Sequence, residues 1–387
     1  MALSLNKARV SPIAIDFGAD TIKLLQLMPG RPAQLAAAAA AMLPPGTRKN
    51  PTERISAIGS TLRTLLKQAP FKGRRVICSI PAFQMLIQNL DLPGGEDTKV
   101  EEQVHQQLRE RLSVEPRAMV VRYFETNAKT RARGGRREFA CFAALKQTVM
   151  QYIEACHQCK LEVVGMHAEP LALLEASRSG DAGQTTQAVI DIGAATTKLL
   201  ITRGGELAFA KSIHAGGDQV TQQVAQAEGV EFDEARRLRG QPELAATAGT
   251  PAPAAASSGV NSSRLVAHLD TFEKQTEPEP SPASRPATAE MITCLVDELQ
   301  LCMRFYHQRN PDDRVERLIF VGGEANDTAA CQSVARSLGI AAQLGDPLGG
   351  IVHLGNTRCA GVDLDRTQPA WAVARGLISC EGKASAA

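Results

Sequence analysis

The sequence predicts an α/β protein made of two duplicated lobes. At 387 residues the chain exceeds what a single hydrophobic core usually supports. The segment Ile15 to Leu25 (IDFGADTIKLL) recurs as Ile190 to Leu200 (IDIGAATTKLL), a constant shift of 175 residues with eight of eleven positions identical. Around both copies, short apolar runs alternate with amphipathic helical patterns, the signature of a sheet covered by helices.

The elements follow in order. Each repeat copy opens with a short apolar run (Pro12 to Ile15; Ala188 to Ile190), turns at Asp-x-Gly and resumes with apolar or alternating residues, as a β-hairpin does. Ile55, Ile58, Leu62, Leu65 and Leu66 mark an amphipathic helix, and Val76 to Pro81 reads as a buried strand ended by proline. Residues 82–140 read as a smaller inserted unit: a strand Met85 to Leu92, a helix with Val100, Val104, Leu108 and Leu112 on one face, and strands Ala118 to Thr126 and Arg137 to Leu145. Between the last two strands lies a basic tip with Lys129, Arg131, Arg133, Arg136 and Arg137, which suits an acidic partner, lipid headgroups or plain solvation.

Helix Gln147 to Cys159 and strand Val163 to Met166 complete the first lobe, and His167-Ala168-Glu169-Pro170 leads into a crossover helix. In the second lobe Gly204-Gly205 closes a hairpin returning through Ala208 to Ile213, and helix-like sequence runs from Gly216-Gly217-Asp218 to about Arg239. Residues 241–289, rich in Ala, Pro, Ser, Thr and Glu, lack the apolar content to order a chain and read as a flexible insertion, with a short helix around Leu265 to Phe272. A long helix with Met291, Leu295, Leu299, Met303 and Tyr306 follows, then strand Arg317 to Val321, the turn Gly322-Gly323 and helix Thr328 to Leu338.

Composition narrows the function classes. Apolar residues make up 44% and charged residues 22%, as in ordinary globular proteins, and a formal charge of +2 gives no bulk attraction to nucleic acid or anionic membrane. The longest apolar stretch, Leu35 to Leu43, is about half a membrane span, and the opening MALSLNKARVSP lacks a signal-peptide core, so the expected location is the cytoplasm. Nine scattered cysteines do not form a secreted disulfide framework. The one tight spacing, Cys156-His-Gln-Cys159, has no second pair to complete a zinc site and reads as two thiols on a helix.

The chemistry concentrates in the repeat. Asp-x-Gly in a strand-turn-strand hairpin can bring main-chain N–H groups against phosphate oxygens, because glycine permits close approach. Two such hairpins, one from each lobe, can clamp the β- and γ-phosphates of a nucleotide, with Asp16 and Asp191 holding a hydrated Mg²⁺ between them. Lys23, seven residues after the first aspartate, can reach a phosphate; a solvent-facing strand lysine is the competing reading. Gly322-Gly323 suits a backbone that approaches a nucleoside, or else is an ordinary strand-helix turn.

The order of two Asp-x-Gly hairpins, a connecting helix and strand-Gly-Gly-helix resembles the actin-like ATPase superfamily, which includes sugar kinases and DnaK-type chaperones. VICSIP, LIQNLDLP, EFDEARRLR, FVGGEAN, GDPLGGI and PAWAVARGLI are similar to the PilM family of type IV pilus assembly proteins and to its cell-division cousin FtsA. The resemblance covers the chain apart from 241–289. It implies a two-lobed actin-like ATPase fold, a duplicated ribonuclease H-like architecture with a small FtsA-like insert. Residues 1–81 and 141–184 would form the first lobe, with 368–380 packing back on it; 82–140 the insert; and 185–367 the second lobe, interrupted by 241–289.

Carried over by position, the resemblance implies phosphate contacts for Asp16, Gly18, Thr21 and Lys23 in the first lobe and for Asp191, Gly193 and Thr196 in the second. Gly322 and Gly323 would line the nucleoside, joined by Glu234. Glu169, at the crossover, is the candidate to orient a water for hydrolysis; capping the next helix is its alternative role. Ala194-Ala195, where chaperone-type relatives carry glycines, points to ATP binding with weak or absent hydrolysis. The expected function is a cytoplasmic ATP- and Mg-binding adaptor in the assembly of a type IV pilus or a related competence or secretion machine. It would dock the cytoplasmic tail of a PilN-like inner-membrane protein, work with other pilus-machine proteins and possible copies of itself, and meet the membrane only through partners. The alternatives are a small-molecule kinase, for which no substrate-loop aspartate stands out, and a nucleotide-free scaffold on the same fold.

Overall fold

The computed structural model describes residues 10–44, 46–48, 50–93, 99–111, 115–126, 136–178, 185–239, 284–353 and 357–381. The first part of the chain forms β1 (Ile13–Phe17), β2 (Thr21–Met28), β3 (Gln34–Met42), α1 (Pro51–Gln68) and β4 (Arg75–Ile80). A 3₁₀ turn, Ala82–Gln84, leads into β5 (Met85–Pro93), α2 (Val100–Arg111), β6 (Met119–Glu125) and β7 (Arg136–Leu145). Then come α3 (Lys146–Gln158), β8 (Glu162–Ala168) and α4 (Glu169–Ser177). The second half holds β9 (Thr186–Ile192), β10 (Thr197–Arg203), β11 (Glu206–Ile213), α5 (Gly217–Glu228) and α6 (Phe232–Leu238). It closes with α7 (Ser284–Arg309), β12 (Arg317–Val321), α8 (Thr328–Leu338), β13 (Ala341–Leu344), β14 (Cys359–Ala360) and α9 (Ala372–Ser379).

The repeat in the sequence is a repeat in topology. The first sheet runs β14-β3-β2-β1-β4-β8 and the second β11-β10-β9-β12-β13. Apart from the short edge strand β14, both follow the order third, second, first, fourth, fifth. In both, the first three strands are antiparallel and the fourth and fifth are parallel to the first.

Three cores stack these sheets into layers. One face of the first sheet packs on α1 and α3 through Ile13, Ile15, Phe17, Leu62 and Tyr152. The outer face of the second sheet packs on α5, α7 and α8 through Ile190, Val220, Leu295 and Val334. Between the sheets lie α4 and α9, buried against both through Ala14, Leu25, Leu173, Leu200, Val321 and Leu377. Each fully buried Leu or Ile in these cores contributes roughly 1.5–3 kcal/mol. Helix α9 packs on β1, β2 and β4 as well as on α4, so the chain's last described helix returns to the first sheet.

Local signals explain most elements. Asn50 caps α1, accepting from the N–H groups of Thr52 and Glu53 with Pro51 in the first turn, and Ile58, Leu62 and Leu65 form its buried stripe. The helical stretch after Gly216 is two helices, because Gly229 ends α5 before α6 begins. Strand β3 was not read from the sequence: Ala36 to Ala41 is a helix-favouring run that the structure lays between β2 and β14. Small side chains on both faces let helices pack close, with Ala38 and Ala40 toward the central layer and Ala37 and Ala39 toward α1 and α3.

The inserted sheet has the order β5-β7-β6 with α2 on one face, and β7 runs past residue 140 to Leu145. Residues 284–289 correct the expected extent of the low-complexity stretch: they form the first turns of α7, because Ser284 and Ala287 are buried on the face that Met291 continues. The expected helix near Leu265 and the basic tip at Lys129, Arg131 and Arg133 lie outside the described residues. Arg136 and Arg137 are paired with Asp91 and Glu125 at 2.8 and 2.6 Å.

Candidate functional site

Strand parity aims the two aspartates at one another's lobes. In β1, Ile13, Ile15 and Phe17 face the outer helices, so Ala14 and Asp16 face the central layer. In β9, Ile190 and Ile192 face outward while Val189 and Asp191 face inward. Each aspartate sits opposite a lysine across its hairpin, Asp16 beside Lys23 and Asp191 beside Lys198. Both lysines fall on the strand face shared with the central core, in line with Leu25 and Leu200.

In the first hairpin, Lys23 Nζ lies 3.3 Å from Asp16 Oδ2 and donates to Thr21 Oγ1 at 3.1 Å. Ser79 at the end of β4 donates to Asp16 Oδ1 at 3.2 Å and accepts from the Phe17 N–H. In the second, Lys198 Nζ lies 3.0 Å from Asp191 Oδ2 and 2.8 Å from Glu169 Oε1. Lys23 is buried, so the solvent-facing reading of it fails. Burial pushes the pKa values of Asp16 and Asp191 up, against the pull of their lysines. Burial lowers that of Lys198, but Asp191 and Glu169 together more than reverse this and raise it.

Asp16, Thr21, Lys23, Glu169, Asp191 and Lys198 line a cleft of about 1120 Å³ between the lobes, together with Gly18, Gly193, Thr196, Gly322 and Gly323. The Gly193 N–H bonds the Thr196 carbonyl at 3.1 Å, closing the second hairpin. Gly322 has φ +96°, and a Cβ there would fall on Asp191 Oδ1 and the Ile192 carbonyl, so only glycine lets β12 end this close to the second aspartate. Glu234 is not brought into the cleft. Its carboxylate pairs with Arg237 at 2.7 Å, and it is Asp233, Arg236 and Arg237 of α6 that line the wall. One helical turn offers only some positions to a given side, and a short motif match does not tell which.

Glu169 does not cap α4, and both of its oxygens are engaged by protein donors. Oε1 meets Lys198, and Oε2 accepts the Ala82 N–H at 2.6 Å. Sequence reading also missed Lys198, although it is the repeat partner of Lys23 at the same shift of 175. A further missed group spans the mouth of the cleft. Arg48 is 3.1 Å from Asp20 and also bonds Asp218, while Arg236 is 2.9 Å from Asp20. Asp20 and Arg48 belong to the first lobe, Asp218 and Arg236 to the second. An adjoining hollow of about 1300 Å³ shares these residues, but neither Asp-x-Gly hairpin's aspartate lines it.

Among the described residues no group of three or more His, Cys, Asp or Glu is placed to hold a metal. Cys156 faces Cys78 at 3.9 Å in the core, not Cys159. A divalent cation would therefore take two carboxylates at most, Asp16 and Asp191. That donor set suits Mg²⁺, which keeps waters and takes its other ligands from phosphate.

Two lobes of one topology, joined through α4 and α9 and facing each other with duplicated Asp–Lys hairpins, are the actin-like ATPase fold. A solved PilM–PilN type IV pilus biogenesis complex shares it at a TM-score of 0.73, with 18% identity over 96% of this chain and 98% of that one. Ethanolamine utilization protein EutJ from Carboxydothermus hydrogenoformans matches at a TM-score of 0.51, with 13% identity over 96% and 89%. The profile of the type IV pilus assembly protein PilM matches residues 14–248, more than half the chain, and that of the cell division protein FtsA matches 188–360. The chain belongs to the PilM family of type IV pilus assembly proteins.

Proposed function

We propose that the chain is a nucleotide-gated adaptor of pilus assembly, which binds Mg-ATP in the interlobe cleft and turns it over slowly or not at all. The observation that supports this most directly is the pair of buried Asp–Lys hairpins, Asp16 with Lys23 and Asp191 with Lys198, on the facing sides of one cleft. Three carboxylates, counting Glu169, against two ammonium groups leave buried negative charge that a divalent cation would offset. When bound, Mg²⁺ neutralises phosphate oxygens; Asp16 and Asp191 would hold it, Lys23 and Lys198 would meet phosphate, and the hairpin turns at Gly18 and Gly193 would approach it closely. Gly322 and Gly323, which line the same cleft, would meet the nucleoside end. Slow turnover rests on Ala194-Ala195 in the second hairpin, and Glu169, whose oxygens each already accept from a protein donor, is held by those partners rather than free to turn toward a water.

The partner reading follows from the relative solved as a PilM–PilN complex: the chain docks the cytoplasmic tail of a PilN-like inner-membrane protein. Among the described residues no helix is long and apolar enough to cross a membrane, and membrane association in this reading runs through that partner. In this reading 1–81 with 141–184 is the first lobe, 82–140 the insert and 185–367 the second lobe, save that β7 carries the inserted sheet on to Leu145 and β14 joins the first sheet.

Calorimetric titration of Mg-ATP into the full chain, with Asp16→Asn as control and phosphate release followed in parallel, tests the reading. Saturable binding lost in the variant, with little release, is the expected result. Absence of binding would leave a nucleotide-free scaffold, and rapid release only with a small-molecule acceptor would mean a kinase.

A further inference from the structure

Two hydrogen-bonded routes leave opposite walls of the cleft and end on the same three residues. From the second lobe, Asp191 and Glu169 share Lys198, and Glu169 Oε2 accepts the Ala82 N–H at 2.6 Å. From the first lobe, the carbonyls of Gly18 and Ala19 at the hairpin tip both accept from Arg54, each at 2.7 Å. Arg54, on α1, is 1% exposed; its Nε donates to Tyr152 Oη at 3.1 Å, and Tyr152 donates to Gln84 Oε1 at 2.6 Å. Ala82 and Gln84 are the ends of the 3₁₀ turn through which the chain leaves β4 and enters β5 of the inserted sheet.

The inserted sheet is tied elsewhere to the second lobe. Asn89 of β5 donates to the Ala210 carbonyl of β11 at 2.8 Å, and Arg309 of α7 bonds Glu138 of β7 at 2.5 Å. The sheet is therefore held by both lobes and joined to the first through a turn that both cleft walls grip. We propose that the Ala82–Gln84 turn passes the state of the cleft to the inserted sheet, with Glu169 and Arg54 as positioning residues rather than catalytic ones.

The physical basis is a cation shared between the protein and the ligand. An ammonium has three N–H groups, and Lys198 already serves two carboxylates. A phosphate in the cleft offers a charged acceptor to the third N–H and draws the ammonium toward itself, so the bond to Glu169 lengthens or re-aims in response. Glu169 is also the acceptor for Ala82, so the turn feels the change. On the other route, a phosphate seated against the Gly18 turn shifts the peptide groups whose carbonyls Arg54 holds. A buried guanidinium with three of its five donors on protein acceptors transmits such a shift, because leaving one of those unmet is costly.

The inference rests on nucleotide binding in the cleft, and its test separates the two. Ala82→Pro removes the N–H that Glu169 binds, at the first position of a 3₁₀ turn after a residue with ψ 139°, where proline fits the backbone. Gln84→Met removes the Tyr152 acceptor at a half-buried site. Neither side chain lines the cleft. Hydrogen exchange by mass spectrometry on the full chain, with and without Mg-ATP, should show a nucleotide-dependent change of at least twofold in peptides covering 85–93 and 136–145. The double variant should still bind Mg-ATP within about threefold of wild-type affinity yet lose that change. In the nucleotide-free protein, Gln84→Met alone should speed exchange at residues 17–24 at least twofold, a readout that needs no nucleotide. Binding without any change in the inserted sheet, the full change surviving in the double variant, or hairpin exchange indifferent to Gln84→Met would each overturn the proposal. Failure of wild type to bind Mg-ATP would instead remove the functional reading while the nucleotide-free arm still decided the link.

Discussion

The Lys198 ammonium lies 2.8 Å from Glu169 Oε1, so the first residue of helix α4 is bonded to a hairpin of the second lobe. Glu169 also accepts from Ala82, where the chain passes from the first lobe into the insert, which makes this carboxylate a joint between that passage and the second lobe at the cleft. Its chemistry is set by those two partners.

Replacing Lys198 with Met should leave two buried carboxylates without their shared cation, at a cost of about 3–5 kcal/mol near neutral pH. Asp191 already has a raised pKa from burial, and losing Lys198 raises it further. A carboxyl with a raised folded-state pKa holds its proton where the unfolded chain has lost it, so stability falls as pH rises through that window. The deficit measured by urea denaturation should therefore be smaller in acid than at neutral pH. A deficit independent of pH would contradict the charge argument.

Arg48→Ala cuts the bonds that cross the cleft mouth to Asp218 and hold Asp20. Loss of about 1–2 kcal/mol of closure corresponds to roughly 5–30-fold. Dissociation of a fluorescent ATP analogue, followed by stopped flow, should quicken by that factor. Unchanged dissociation would show that the mouth does not gate the cleft.

The Asp218 pKa is pushed up to about 6 by burial and by the nearby Asp20, against the lowering effect of Arg48 and Arg236. Between the unfolded value of about 3.9 and this raised value, the folded protein binds more protons, so wild-type stability drops as pH rises. Asp218→Asn lacks that drop. The stability of the variant relative to wild type should climb by about 1–2 kcal/mol from about pH 4 to 7, allowing for partial solvent screening, and level off above. Chemical denaturation across that range measures it.

Gly376 of α9 crosses α4 so closely that a Cβ would fall on the Ala172 carbonyl oxygen. Gly376→Ala should force the two helices apart and destabilise the protein by about 1–3 kcal/mol in urea denaturation. Since α4 and α9 are the layer between the sheets, Mg-ATP affinity should fall with it. A fully stable variant would mean that the central layer yields easily.

Much of the site was legible because a duplication carries its own control. Asp16 and Lys23 recur as Asp191 and Lys198, and period-2 alternation assigns each pair to the face opposite Ile15 and Ile190. Lys198 could have been chosen on the same ground as Lys23. Glu234 shows the opposite case: a short motif located helix α6 but not which of its sides meets the cleft.

The sequence by itself determined the two lobes, the hairpins, the order of most elements and the family, since these depend on local patterns and on a repeat visible in one dimension. Tertiary structure decided what Glu169 touches, how Arg54 and Tyr152 reach Gln84, and how four charged residues from two lobes meet at Asp20. It also decided that Ala36 to Ala41 is a strand. The reason is the same in each case. A contact between residues far apart in the chain has no local signature, and an alanine run takes whichever conformation its packing neighbours reward, because the difference in intrinsic preference is smaller than the free energy of burying both its faces.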